Sequence, residues 1–88
     1  MDRRPVMLEE IRGRLQQVID TAPAGELQAV RTTLEELRGQ LHQVAGTSTN
    51  EDVQQALHLF GLAVEKAGEA AQAVMQAAEH VRSFSAVL

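Results

Sequence analysis

Cysteine, tryptophan and tyrosine are all missing from this chain of 88 residues. Without cysteine there can be no disulfide and no thiolate metal site. The only aromatic residues are Phe60 and Phe84, so any core must be aliphatic. Proline occurs twice, at Pro5 and Pro23, which leaves long stretches free to be helical. Basic residues are scarce: eight Lys and Arg stand against twelve Asp and Glu, for a net charge of −4. Lys66 is the single lysine. The basic footprint of a nucleic-acid binder is therefore absent, and an anionic membrane surface would repel the acidic C-terminal half. No apolar run reaches the roughly 18 residues that a spanning helix needs. The start, Met1-Asp2-Arg3-Arg4-Pro5, leads into no signal-type apolar core, so secretion by the general route is not expected. The expected location is cytoplasmic, with non-classical export as the alternative.

The chain is rich in Leu, Val and Ala, and hydrophobic residues make up 44% of it, enough to pack a core rather than remain disordered. Ala, Leu, Gln, Glu and Arg are good helix formers, so the expected class is all-α. The length allows one small helical domain, residues 1–88.

The strongest pattern begins near Ser48. Apolar side chains recur at Val53, Leu57, Phe60, Val64, Ala67, Ala71, Val74, Ala78 and Val81, and the steps continue through Ser85 to Leu88. Steps of four and three alternate without a slip, which is a heptad seam on one long helix. Its expected span is about 48–84. A capping box is expected at its start, with Ser48 as N-cap and Glu51 reaching back; Thr49 with Asp52 offers a second register.

Two shorter helices precede it. The first is expected over about 5–20, with a seam of Leu8, Ile11, Leu15 and Val18. Pro23 ends it, and Thr21 is the expected N-cap of the next helix. The second is expected over about 24–45, with Leu27, Val30, Leu34, Leu37, Leu41 and Val44 as its seam. Gly46 suits a left-handed residue after that helix.

Lengths point to the architecture. A link as short as Gly46-Thr47-Ser48 makes the second and third helices antiparallel neighbours. At 1.5 Å per residue the third helix outruns the second by about 15 residues. The first helix, laid in line beyond Pro23, would cover that overhang on Val74, Ala78, Val81 and Ser85. The expectation is an antiparallel helical hairpin with a broken first arm. A compact three-helix bundle is the alternative.

The third helix has more apolar surface than one arm can cover. Ala56, Ala63, Ala70 and Ala77 recur every seven residues beside the seam, Gly61 and Gly68 recur on the other side, and Leu59 and Leu62 stand away from it. The expected protein interface is Ala56, Leu59, Leu62, Ala63 and Ala70. The expected partner is a second copy, forming a four-helix bundle, or a related helical protein.

Nothing in the sequence carries catalysis. His42, His58 and His80 have no second His at helical spacing and no Cys nearby. The carboxylates are scattered on outer faces, Ser48, Ser83 and Ser85 lack a nucleophile elbow, and the glycines form no phosphate loop. No catalytic residue, metal, cofactor or small molecule is expected.

A helical hairpin of this length with a short polar turn resembles the small hairpin proteins of type VII secretion, the Trp-x-Gly family. The turn here is Gly46-Thr47-Ser48 in place of the family tripeptide, and there is no Tyr to form the family's export signal. The resemblance implies a dimer built as a four-helix bundle. Rich use of Ala, Val and Arg with one lysine is similar to short helical proteins of actinobacteria. The expected function is a non-enzymatic, self-associating interaction or scaffolding module. The alternatives are a type VII-like secreted protein, or a small docking or regulatory subunit of a larger partner.

Overall fold

The computed structural model describes residues 4–88, with side chains from Met7 onward. The protein is all-α, with three helices: α1 (Arg4–Thr21), α2 (Ala24–Ala45) and α3 (Glu51–Ala86). It is a rod of 75 × 15 × 14 Å. Both α1 and α2 pack on α3, and among the described residues they do not pack on each other. This is the hairpin with a broken first arm; the compact three-helix bundle is not formed.

Each end of each helix has a local cause. At the break, the Thr21 hydroxyl donates to the Gln17 carbonyl at 2.6 Å, so Thr21 closes α1 and does not cap α2. Pro23 takes the cap position of α2 with no side-chain bond, and its carbonyl accepts from Leu27 N at 2.9 Å. Having no N–H, Pro23 cannot continue the α1 ladder, yet it opens a new helix readily.

Between α2 and α3 the expected details shift. Gly46 is right-handed, at φ −63 and ψ −22, not left-handed. Its lack of a side chain matters for another reason: a Cβ there would run into the His42 carbonyl, which accepts from Gly46 N. Helix α3 starts three residues later than expected. Asn50 is its N-cap, accepting from Asp52 N at 2.8 Å. Ser48 does not cap α3. Its hydroxyl accepts from Asn50 N at 3.1 Å, and its carbonyl accepts from the Gln54 side chain at 2.8 Å. Asn is as strong an N-cap as Ser, and in this register Glu51 and Asp52 both fall in the first turn, where the helix dipole favours them. Asn50→Ala should therefore lower stability by about 0.5–2 kcal/mol, and Ser48→Ala by less. Thermal unfolding of the two variants checks the order.

The α3 seam lies where the heptad count places it. Every member from Val53 to Leu88 is at least partly covered, and Leu57 and Ala71 are buried. The first arm is rotated from its expected face. On α1 the covered residues are Leu8, Leu15 and Ile19, with Ala22 covered just beyond its end, while Ile11 and Val18 are exposed. On α2 the covered residues are Ala24, Leu27, Leu34, Leu41 and Ala45. Val30, Leu37 and Val44 face out, and Val44 is 86% exposed.

Candidate protein interface

The rotation of α2 is explained at two glycines. Arg38 lies over Gly61, with Nε 3.3 Å from where a Cβ would stand, and Arg31 lies over Gly68 at 3.4 Å. Both pairs are seven residues apart on each helix. A missing side chain on α3 opens the backbone carbonyl one turn earlier, and the Arg38 guanidinium donates to Leu57 O at 3.1 Å. Arg31 turns its own guanidinium to Glu35 at 3.2 Å. The stems of the two arginines therefore occupy the seam positions between the leucines, and their charged ends reach its edge. Small residues at heptad spacing here admit arginine rather than a close backbone.

These glycines give a paired test. No neighbour lies within 4 Å of a Cβ built at Gly39, so Gly39→Ala should stabilise the protein by about 0.5–1 kcal/mol through helix propensity. Gly61→Ala should gain clearly less, because a Cβ there stands 3.3 Å from Arg38 Nε and the arginine must shift by a few tenths of an ångström. Denaturant midpoints of the two variants make the comparison.

The same rotation creates the candidate interface. Arg31 and Arg38 stand four residues after Leu27 and Leu34; Val30 and Leu37 stand three residues after them. The two sets flank the leucine row on opposite sides. On α3 the glycines and the alanine row Ala56, Ala63 and Ala70 likewise flank the seam on opposite sides. Since the arginines cover the glycines, the Val30–Leu37–Val44 row and the alanine row open on one common side of the hairpin. Ile11 and Val18 stand three residues after Leu8 and Leu15, so they carry the apolar row along α1.

The five expected interface residues fall as follows. Ala56, Ala63 and Ala70 are half-buried beside the seam. Leu59 is exposed next to Ala56 and Ala63 on the helix surface. Leu62 is also exposed and stands one step further round, at the margin of the face. Val30, Leu37 and Val44 belong to the same face, although the sequence pattern had assigned them to the interior. The signal that locates them outside is the matched seven-residue spacing of Arg31 and Arg38 with Gly61 and Gly68.

No family model, curated protein or solved structure matches the chain. The geometry of its own surface therefore carries the functional reading. Among the described residues no three His, Asp or Glu side chains gather to hold a metal, and no helix is long and apolar enough to cross a membrane. His42, His58 and His80 are all exposed. The hollow at the helix break, about 210 Å³, is lined by Ile19, Ala22, Ala24, Val74 and Ala78 and marks where α1 meets α3. Beside Arg38 runs an open groove lined by Glu35, Gly39, His42, Gly61 and Val64.

Proposed function

We propose that this protein is a non-enzymatic helical module that associates with itself and acts as a scaffold or interaction element. The observation that carries the reading is how little the single chain buries. Among the described residues only Ile19, Leu57 and Ala71 count as buried hydrophobic side chains. The accessible surface is 6910 Å². A folded monomer of 9.6 kDa is expected to expose about 5,100 Å². The surplus, on the order of 1,800 Å², is ample for an interface of standard size, which takes about 800 Å² from each partner. Large apolar side chains are spread over that surplus, and leaving them wet forgoes roughly 25 cal/mol per Å².

A second copy is the partner that meets this need without any other component, and closed twofold dimers are the commonest assembly. The resulting architecture is a four-helix bundle. Light scattering coupled to size exclusion tests the reading. A dimer is expected at tens of micromolar. A folded monomer there overturns it, and co-purification from the native host with one copy of a different protein replaces it with a heteromeric role.

A further inference from the structure

The geometry points to a specific docking mode for that second copy, and we propose that two hairpins meet through the face shared by Val30, Leu37 and Val44 on α2 and Ala56, Ala63 and Ala70 on α3. This rests on the self-associating reading above and adds the surface and its direction. The face is self-complementary. One helix presents a ridge of large side chains, and the other presents a groove of small ones, both repeating every seven residues. The contacts of Arg31 with Gly68 and of Arg38 with Gly61 set the relative heights. By that register Val30 stands near the level of Ala70, Leu37 near Ala63 and Val44 near Ala56, each to within about one helical turn of 5.4 Å.

A half-turn about the long axis of the rod preserves height and exchanges left for right. It lays the α2 ridge of each copy over the α3 groove of the other, large side chain on alanine at three successive levels. The contact is isologous, as a closed twofold pair requires. A half-turn across the rod would instead set ridge on ridge and alanine on alanine, holding the α2 helices apart while the α3 helices approach. The ridge is exposed in the single chain, with Leu37 42% and Val44 86% open, so nothing within the hairpin competes for it. Its immediate border on α2 is nearly uncharged: Thr33 and Gln40 flank Leu37, and Glu26 is the one acid beside Val30. Two chains of net charge −4 can therefore meet here with little repulsion at the contact.

The cysteine-free sequence makes the test direct. Leu37→Cys and Ala63→Cys are prepared as separate proteins, mixed under mild oxidation and resolved by mass. The expected product is the mixed disulfide joining position 37 of one copy to position 63 of another, in clear excess over either like-with-like product. Val30→Cys mixed with Ala70→Cys provides a second pair should Leu37→Cys fold poorly. Thiol labelling of Leu37→Cys should also slow roughly tenfold at about 50 μM chain relative to high dilution, for a dimer constant near 1 μM. Labelling of Thr32→Cys, on the outer side of α2, should not slow. A dimer in which position 37 pairs mainly with itself overturns the ridge-in-groove mode, and one whose position 37 labels freely overturns the face. Both leave self-association standing. A wild-type monomer overturns face and function together.

Discussion

Leu57→Ala should destabilise the protein by about 2–5 kcal/mol, the range for truncating a buried leucine. In a domain of this size each kcal/mol lowers the midpoint by about 4–8 °C. Leu57 is one of only two buried residues on α3, and its carbonyl is also the acceptor for Arg38. Removing its side chain opens the seam at the level where α2 is anchored. Leu59→Ala, on the exposed side of the same turn, should cost far less in the monomer. Thermal and denaturant unfolding at matched concentration separate the two, and equal losses would show that Leu57 is not a core residue.

Ile19→Asp should release α1 while leaving the α2–α3 hairpin closed. Among the described residues Ile19 is the one buried side chain of α1. It lines the hollow at the break with Val74 and Ala78 of α3, beside Ala22 and Ala24. A carboxylate there must be hydrated, and hydration requires the helices to part. Hydrogen exchange should then quicken in α1 and in α3 beyond about Val74, and stay slow from Val53 to Ala71. The expected loss of helical signal exceeds the 18 residues of α1, because the uncovered end of α3 frays with it. Uniform acceleration across all three helices would show that the rod unfolds as one unit.

Much of this architecture was legible in the residues. The unbroken heptad count from Val53 to Leu88 located the α3 seam correctly, because every inward position is apolar or small. Pro23 and the Gly46 turn divided the helices, and their lengths favoured the in-line arm while leaving the folded-back bundle as the alternative; the packing of both α1 and α2 on α3 decides between them. What misled was the assumption that inward means apolar. On α2 the seam alternates leucine with arginine, since Gly61 and Gly68 leave room for a long stem that carries its charge to the edge. A periodic Leu-Val pattern therefore pointed at the wrong flank, and Val30, Leu37 and Val44 were read as core. On α1, Ile19 was passed over for Val18 for the same reason: both continue an apolar row, and only the packing decides between them. The start of α3 slipped because Ser48, Thr49 and Asn50 are all competent caps, and the hydrogen bonds of the turn choose among them.

The in-line arm has a consequence for the order in which the rod assembles. The α2–α3 hairpin can close from its turn, since Ala45 and Asn50 are already close in sequence and each further heptad adds one layer to the last. Such growth pays little loop entropy at any step. Docking α1 is different in kind: Ile19 meets Val74 across 55 residues of chain, and that contact is cheap only after the hairpin has formed. The rod should zip from the Gly46 end and seal last at the end where α1 meets the C-terminus. Pulse-labelling during refolding should show protection first near Leu57 and last near Val81; the reverse order would mean that the distant end nucleates the fold.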